Sequence, residues 1–344
     1  MTASTPVVHV LDTDTHRWDA FVAEAPDATF FHQAGWKRVI EGAFGHSCHF
    51  LYAETDGRIE GVLPLVYVKS RLFANALIST PFCVYGGALA ATERAEAALY
   101  AHACELARRL GVDYLEARER TPRHADWHGK DLYYTFRREI AADDEANLQA
   151  IPRKQRAVVR KAMKLGMAAE IDSDVERLYP LYAYSLRNLG TPVFSKKYMT
   201  LLLETFGDAV EVLTITHEGE PVASVLSFYF RGEVLPYYAG AGERARELKA
   251  NDYLYWALMS HAAARGVRVF DFGRSKRETG PFHFKRHWGF EPQPLAYEYY
   301  LVEADSLPDL SPANPRYQRV IRAWQKLPVP VTRVIGPLLS RNLG

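Results

Sequence analysis

The sequence predicts an α/β fold that contains two similar domains. At 344 residues the chain exceeds the roughly 250 to 300 residues at which a single hydrophobic core usually stops growing, so two domains are expected. The order hairpin, strand, helix, strand occurs twice, about 160 residues apart, which is typical of a duplicated unit. In both copies a helix returns directly to a strand, as a mixed sheet flanked by helices requires.

Each half of the sequence contains one strong hairpin signal. In the stretch HFLYAETDGRIEGVLPLVYVKS, two strand-like runs flank Asp56 and Gly57. In VEVLTITHEGEPVASVLSFYF, two similar runs flank Glu218 and Gly219. A two-residue turn that ends in glycine suits a tight hairpin, so both stretches predict paired antiparallel strands.

A helix and a strand follow each hairpin region. In the first half these are AEAALYAHACELARRLG and VDYLEARE, and in the second half NDYLYWALMSHAAARG and VRVFDFG. In the second helix, Leu254, Leu258 and Ala262 recur on one face. Asn251 is placed to cap its beginning and Gly266 to terminate it.

Composition and charge indicate a soluble protein. Hydrophobic residues make up 48% of the chain, and 42 basic residues stand against 41 acidic ones, so no overall field favours a polyanionic partner. Cys48, Cys83 and Cys104 are widely spaced, which favours reduced thiols over disulfides or a metal site. The beginning does not resemble a signal peptide, and no run reaches the roughly 18 apolar residues of a spanning helix. We therefore expect a cytoplasmic protein without a metal site.

Between the two halves, IPRKQRAVVRKAMKLG predicts a helix with one strongly basic face. Projected at 100° per residue, six cations occupy an arc of roughly 160°, and apolar residues occupy the opposite side. Two interpretations remain open: a solvated surface face, or a site that holds an anionic substrate, since the arc contains no acidic residue. The six cations are Arg153, Lys154, Arg156, Arg160, Lys161 and Lys164.

The C-terminal tail is basic and apolar. From Ser311 onward it has six basic residues and no acidic one, interleaved with Trp324 and aliphatic side chains. Such a segment can lie on an anionic membrane surface, and it can equally pack on its own domain. Pro328, Pro330 and Pro337 argue against one long amphipathic helix.

Two segments carry a resemblance to known proteins. FDFGRSKRETGPFHFKRHWGFEPQPLAYEY and HVLDTDTHRWDAFVAEAPDATFFHQAGWKRVIEGAFGH resemble the FemAB-like proteins associated with exosortase/PEP-CTERM exopolysaccharide systems. More broadly, the duplicated unit ending in FKRHWGF resembles the Fem-type peptidyltransferases, tandem GNAT-like proteins that attach amino acids from aminoacyl-tRNA to cell-wall precursors. The likeness covers nearly the whole chain, with a specific motif in the second half. We therefore predict a first GNAT-like domain over residues 1–150, a second over 151–305, and the tail over 306–344.

The resemblance implies a catalytic role for Lys285. In simpler acetyltransferases of this fold, the segment matching Phe284 to Phe290 reads approximately Phe-Tyr-x-x-x-Gly-Phe, and its tyrosine often protonates the leaving thiolate. Lys285 stands in the tyrosine's place, as does a Fem-group lysine that is implicated in steadying the transfer centre. Acyl transfer passes through a tetrahedral oxyanion, which one positioned donor in a dry pocket stabilises by roughly 3 to 4 kcal/mol. A surface lysine on a helix that packs through its aromatics is the alternative interpretation.

Other residues are predicted to bind substrate. The run VFDFGRSK ends a buried strand, where α/β folds commonly open onto ligands, and an arginine there can clamp a carboxylate or phosphate. A tyrosine hydroxyl could reach the same cleft, aromatic side chains could wall it, and the basic helix could hold phosphate. The predicted substrate-binding residues are Arg153, Arg156, Arg160, Tyr238, Asp271, Arg274, Ser275, Phe284 and Trp288.

The acyl donor is left open between aminoacyl-tRNA and acyl-CoA, and no tightly bound cofactor is expected. Acetyl-CoA users of this fold usually carry an Arg/Gln-x-x-Gly-x-Gly/Ala loop, whose spacing neither YGGALAATERAEA nor AGAGERARELKANDYL reproduces. The leading hypothesis is an aminoacyl- or acyltransferase acting on a cell-envelope polymer or lipid-linked precursor, related to exopolysaccharide or peptidoglycan. The alternatives are an acyl-CoA-dependent N-acyltransferase on an exopolysaccharide sugar, and a non-catalytic polysaccharide-assembly protein.

Overall fold

The computed structural model describes residues 5–70, 75–307 and 315–343, with side chains in the last range from residue 318 onward. The chain divides into two compact units. Unit 1 comprises Met1–Tyr133, Pro294–Asp309 and Arg341–Gly344, and unit 2 comprises Tyr134–Gln293 and Leu310–Ser340.

The described residues form alternating strands and helices. The strands are β1 (Val7–Val10), β2 (Ser47–Thr55), β3 (Arg58–Lys69), β4 (Asn75–Ser79), β5 (Leu89–Ala90), β6 (Tyr114–Glu119), β7 (His128–Lys130), β8 (Tyr133–Thr135), β9 (Arg137–Glu139), β10 (Met167–Asp172), β11 (Val210–His217), β12 (Glu220–Phe230), β13 (Glu233–Ala241), β14 (Val269–Asp271), β15 (Ser275–Lys276), β16 (Gln293–Pro294) and β17 (Ala296–Leu301). The helices are α1 (Thr15–Glu24), α2 (Gly35–Phe44), α3 (Glu93–Leu110), α4 (Asp144–Ala150), α5 (Arg153–Ala162), α6 (Leu178–Leu189), α7 (Lys196–Phe206), α8 (Ala245–Leu248), α9 (Ala250–Ala264), α10 (Gly280–His287), α11 (Pro315–Gln325) and α12 (Val329–Ser340). Short 3-10 turns lie at Phe30–His32 and Gly207–Ala209.

Each unit contains one mixed sheet. In unit 1 the strand order is β1-β2-β3-β4-β6-β17-β7, with β5 paired to β3. In unit 2 the order is β10-β11-β12-β13-β14-β9. Each of these orders contains one parallel pair, β4 with β6 and β13 with β14. The predicted fold class, a mixed sheet flanked by helices in each of two domains, is confirmed.

The unit boundaries differ from the predicted ranges 1–150, 151–305 and 306–344. Strand β17 pairs with β6 and so completes the sheet of unit 1, although it lies late in the chain. Strand β9 pairs with β14 and completes the sheet of unit 2. Most of the tail belongs to unit 2 and does not form a unit of its own. These boundaries depend on strand pairing between distant segments, which the periodicity of the sequence does not predict.

The predicted hairpins and helices are present. Asp56 and Gly57 have φ values of 49° and 79°, and Glu218 and Gly219 have 54° and 83°, so both turns are tight and left-handed. Gly266, with a φ of 78°, follows the end of α9 as predicted. The prediction of Asn251 as the cap was wrong: α9 begins at Ala250 after Lys249, and Asn251 lies inside the first turn.

A cleft opens in unit 2 where β13 and β14 stop pairing. Their parallel register holds only for Glu233 with Val269 and for Val234 with Phe270, and β13 then continues to Ala241 paired with β12 but no longer with β14. Helix α6 packs directly on this part of β13. A Cβ at Gly240 would lie 2.2 Å from the amide nitrogen of Tyr182, so only glycine permits the approach.

The tail packs on unit 2. Gln325 Nε2 donates to the Asn188 carbonyl at 2.9 Å, and Ser340 Oγ donates to the Val193 carbonyl at 3.1 Å. Of the two open interpretations, packing on its own domain is therefore observed for the described part of the tail. Residues 308–314 and 344 lie outside the described residues. Among the described residues, no helix combines the length and the apolar character that crossing a bilayer requires.

Candidate active site

The end of β14 continues into a turn that is held by the carboxylate of Asp271. Asp271 is completely buried, and its Oδ1 accepts hydrogen bonds from Thr135 Oγ1 at 2.9 Å and from the Gly273 amide at 2.7 Å. Gly273 has a φ of 66°, in the left-handed region that favours glycine. The turn therefore fixes where the carbonyl groups of Gly273 and Arg274 lie.

Lys285 lies on α10 with its side chain inside unit 2. The residue is only 8% exposed. Its Nζ donates hydrogen bonds to the carbonyl oxygens of Gly273, at 2.8 Å, and Arg274, at 3.2 Å. It also lies 5.4 Å from the ring centroid of Phe136, within the range of a cation–π contact. The interpretation of Lys285 as a surface lysine does not fit this position.

Burial changes the protonation of Lys285. The loss of hydration lowers the pKa of this amine to about 7, an effect that the Asp271 carboxylate opposes and the Arg274 guanidinium reinforces. Near neutral pH the amine is therefore divided between its charged and neutral forms. A group with such a pKa can donate or accept a proton during a reaction.

In the part of the chain that the structure describes, the two carbonyl contacts leave one position on Nζ unused. A lysine ammonium has three N–H donors, and two of them are directed at Gly273 and Arg274. The third can donate to an oxyanion. In the neutral form the same position holds the lone pair, which can accept a proton.

Arg274 and Ser275 lie directly after this turn. Arg274 is half-buried, and its charge acts on the pKa of Lys285. Ser275 is 5% exposed, and its Oγ is buried without a hydrogen-bond partner among the described residues. A buried hydroxyl left unpaired costs about 1 to 3 kcal/mol, so a water or a polar ligand atom at this point would stabilise the site.

Aromatic side chains surround α10, as predicted. Trp288 is completely buried and lies with its ring 6.2 Å from that of Phe284 and 6.0 Å from that of Phe272. Tyr255 of α9 contacts Phe284 at a centroid distance of 5.6 Å. These rings belong to the apolar core of unit 2, which also contains Phe136, and burial in that core makes the charge of Lys285 costly.

A cavity of about 620 Å³ lies beside the cleft at the end of β13. Helix α6, the segment from Ala241 to Lys249, the first turn of α9 and Phe284 form its wall. The first turn of a helix offers N–H groups without intrahelical acceptors, which suits an anionic group of a ligand. Among the predicted site residues in the described part of the chain, Phe284 alone lines this cavity. The charged lining residues are Glu243, Arg246, Lys249 and Asp252.

The basic helix α5 lies next to the cavity wall. Gln155 of α5 donates a hydrogen bond from Nε2 to Oδ1 of Asp252, and burial raises the pKa of that carboxyl. Arg153 is exposed, Arg156 is half-buried, and Arg160 is exposed with Glu145 at 3.3 Å. The predicted apolar side of the helix faces inward, since Val159 and Ala162 are buried.

Tyr238 lies in an aromatic cluster on β13. Its hydroxyl shares a 2.8 Å hydrogen bond with that of Tyr198, and its ring contacts Tyr182 and Phe194. The residue is 6% exposed. The hydroxyl is thus already engaged by another tyrosine of unit 2.

Residues 149–286 match the family model described as an acetyltransferase (GNAT) domain. The matched GNAT domain runs from the end of α4 almost to the end of α10 and includes Lys285. The prediction that the protein is an acyltransferase is thereby confirmed. No curated protein sequence matches the chain.

The similarity to solved structures extends beyond residues 149–286. FemX has 13% sequence identity and a TM-score of 0.65, with 91% of this chain and 100% of FemX covered. The C-terminal domain of an Agrobacterium fabrum protein described as a lysylphosphatidylglycerol synthetase has 14% identity, a TM-score of 0.58, and coverages of 83% and 91%. A tandem GNAT protein from the clavulanic acid biosynthesis pathway, in a structure without acetyl-CoA, has 15% identity, a TM-score of 0.53, and coverages of 88% and 100%. At these identities the likeness concerns the fold, and it confirms the predicted tandem GNAT-like arrangement.

Unit 1 has a smaller polar pocket at the end of its own parallel strand pair. The pocket has a volume of about 190 Å³ and is lined by Glu119 at the end of β6 and by the loop after β4. That loop fills the space closely, because a Cβ at Gly87 would lie 2.0 Å from the carboxyl carbon of Glu119. Tyr100 and the Ala88 amide both donate to Oε1 of Glu119, and burial raises its pKa to about 7.

His32 holds the loop that lines this pocket. Its Nδ1 accepts from the Thr29 amide at 3.0 Å, so Nε2 carries the proton and donates to the Gly87 carbonyl at 3.1 Å. Burial lowers the pKa of His32 to about 4. The imidazole is therefore neutral at physiological pH and acts as a structural link.

Several residues of both pockets are not among the site residues predicted from the sequence. Much of the lining of the larger cavity lies in AGAGERARELKANDYL, which does not match the acetyl-CoA loop pattern. Its position between a strand and a helix start was the signal that could have indicated a site. Glu119 and His32 carried no recognisable spacing, since their approach depends on tertiary structure. Among the described residues, no group of three or more His, Cys, Asp or Glu side chains could hold a metal ion.

Proposed function

We propose that the protein transfers an aminoacyl or acyl group to an amine or hydroxyl of a cell-envelope polymer or lipid-linked precursor, and that unit 2 performs the transfer. The observation that carries this proposal is the buried amine of Lys285, oriented by two carbonyl oxygens and titrating near pH 7. The 620 Å³ cavity, which α10 borders through Phe284, offers space for the donor.

The residues support a transfer in which charge develops beside Lys285. The acceptor nitrogen or oxygen attacks the donor carbonyl carbon, and the carbonyl electrons move onto its oxygen. Protonated Lys285 donates its third N–H to this oxyanion, which apolar surroundings make more effective. The oxyanion then collapses, the bond to the leaving atom breaks, and the leaving group takes the proton that the acceptor releases. Lys285 ends the cycle with its own proton.

Both donors considered from the sequence carry phosphate groups, and the cavity wall holds two cations, Arg246 and Lys249, beside two acids, Glu243 and Asp252. Arg246 and Lys249 can contact these phosphate groups, and the basic helix α5 is joined to the wall through the hydrogen bond from Gln155 to Asp252. We favour aminoacyl-tRNA, because the loop lacks the spacing of acetyl-CoA users, and because the fold resembles FemX and a protein named for lysylphosphatidylglycerol synthesis. Acyl-CoA is the second candidate, which is favoured by the match to an acetyltransferase (GNAT) domain and by the likeness to a tandem GNAT protein whose structure is described as being without acetyl-CoA.

The resemblance of the two quoted segments to exosortase/PEP-CTERM-associated FemAB-like proteins supports an acceptor in exopolysaccharide assembly. We place the reaction on the cytoplasmic side of the inner membrane, where lipid-linked precursors and aminoacyl-tRNA are both accessible. A peptidoglycan precursor has the same chemistry and is the second acceptor to examine.

The experiment is a transfer assay with labelled donor pools, aminoacyl-tRNA and acyl-CoA in parallel, and an extract of lipid-linked precursors as acceptor. We expect label to move from the aminoacyl-tRNA pool in the wild type and in Lys197→Met, whose lysine is exposed on α7. In Lys285→Met the transfer should be lost. Transfer only from acyl-CoA would establish the second donor. Absence of transfer from either pool, together with tight polysaccharide binding, would favour the non-catalytic assembly protein.

A further inference from the structure

Helix α12 carries large apolar side chains on its outer face, whereas a helix that only packs on its own domain normally buries them. The side against unit 2 carries small residues, since Thr332, Gly336 and Ser340 are buried. The outer side carries Val331, Val334 and Leu338, which are 41%, 71% and 64% exposed. These three positions, spaced three and four residues apart, form one ridge, named here the α12 ridge. A surface helix normally shows the opposite distribution.

The orientation of α12 is fixed by close contacts. A Cβ at Gly336 would lie 2.8 Å from Cγ1 of Val193 and 2.9 Å from its amide nitrogen, so the helix approaches the backbone there. Ser340 Oγ donates to the Val193 carbonyl, and the Arg333 guanidinium lies 5.1 Å from the ring centroid of Tyr179. A rotation that buried the α12 ridge would bring branched side chains into this space. The exposed ridge is thus a consequence of tight packing.

Helix α11 adds cations and a further exposed apolar residue. Trp324 is buried and Ile321 contacts Gly190, so α11 packs on the end of α6. Val320 is 63% exposed. Arg319, Arg322 and Lys326 are exposed and have no acidic partner among the described residues. The sequence after Asp309 has no acidic residue at all.

We propose that the α12 ridge and the cations of α11 form a binding surface for an anionic phospholipid bilayer. Helix α12 begins only a few residues after α11 ends, and exposed aliphatic side chains together with cations that have no acidic partner among the described residues suit the boundary between acyl chains and negatively charged headgroups. A second copy of this chain is a poorer partner, because two such surfaces would place like charges opposite each other without an acid between them. This inference does not depend on the proposed transfer reaction.

The test is co-sedimentation of the full-length protein with phosphatidylcholine vesicles, with and without phosphatidylglycerol, at low and high salt. We expect binding to the anionic vesicles that weakens with salt. The double variant Val334→Ser/Leu338→Ser should bind at least roughly tenfold more weakly than the wild type, since two apolar contacts are removed. Arg319→Glu/Arg322→Glu should abolish the preference for anionic vesicles. Ile171→Ser, which removes an exposed aliphatic residue of β10, is the matched control and should bind like the wild type.

The substituted positions are exposed, so the variants should fold, which circular dichroism and the thermal transition will check. Unchanged vesicle binding in Val334→Ser/Leu338→Ser would overturn the proposal. A wild-type dimer that the same substitutions convert to a monomer, without vesicle binding by either protein, would identify the second copy as the partner and also overturn it. Transfer to a water-soluble acceptor should be the same in wild type and variant, which separates this surface from the transfer site.

Discussion

Replacing Lys285 by methionine removes one hydrogen-bond donor from the proposed oxyanion position while keeping a side chain of similar length. Loss of a single donor of this kind lowers kcat by roughly 10² to 10³, equivalent to about 3 to 4 kcal/mol. We expect this reduction in Lys285→Met, with little change in the affinity for donor. Lys197→Met, at an exposed position, should retain full activity.

The fold should tolerate this substitution. The fall of the Lys285 pKa from 10.5 to about 7 means that the folded state disfavours the charged form by roughly 5 kcal/mol. Below pH 7 methionine removes this cost, while the carbonyls of Gly273 and Arg274 each lose a donor at a cost of about 1 to 3 kcal/mol. These contributions nearly cancel, so the free energy of unfolding should stay close to that of the wild type. Urea denaturation at pH 6 measures this directly.

The pH dependence of the reaction tests the charge state of Lys285. If the ammonium is the active form, kcat should fall as pH rises through about 7, and this falling limb should be absent from the residual activity of Lys285→Met. The assay is initial rate of transfer against pH at saturating donor and acceptor. A rate that rises through pH 7 because of Lys285 would show that the neutral amine acts as a base. Activity within threefold of wild type in Lys285→Met would refute the oxyanion role altogether.

Three further predictions concern the rest of the molecule. Arg246→Glu on the cavity wall should raise KM for a phosphate-bearing donor about tenfold. Arg244→Glu makes the same change in net charge outside the cavity lining and should leave KM unchanged. Equal effects of the two substitutions on KM would contradict a local contact. Because the pKa of Glu119 is raised from 4.5 to about 7, the free energy of unfolding of the wild type should decline as pH rises between these values. In urea denaturation, the free energy of unfolding of Glu119→Gln should therefore rise relative to that of the wild type by up to roughly 3 kcal/mol between pH 5 and pH 8. The same pH dependence in both proteins would contradict this prediction. Gly240→Ala should destabilise the protein by about 3 kcal/mol or more in urea denaturation, because its Cβ meets backbone atoms of α6, while Gly129→Ala, with open space around it, should change little.

Part of the site could be read from local sequence. The Gly-Pro start and the glycine after Trp288 predict the short helix that carries Lys285, and α10 has these limits. The aromatic spacing predicts an apolar wall, which Trp288 and Phe284 form. The two carbonyl partners of Lys285 could not be predicted, because they depend on the turn that Asp271 and Thr135 hold from different parts of the chain.

The sequence by itself determined the elements that depend on neighbouring residues: both hairpins, helices α3 and α9, the basic face of α5 and the place of Lys285 in its motif. Turn geometry, capping and periodicity act over a few residues, so they can be predicted from the sequence without the tertiary structure. The tertiary structure alone decided which sheet receives β9 and β17, how deeply Lys285 is buried, and which face of α12 is exposed. These properties arise from contacts between segments distant in sequence, where burial and close approach, and not local preference, set the free energy.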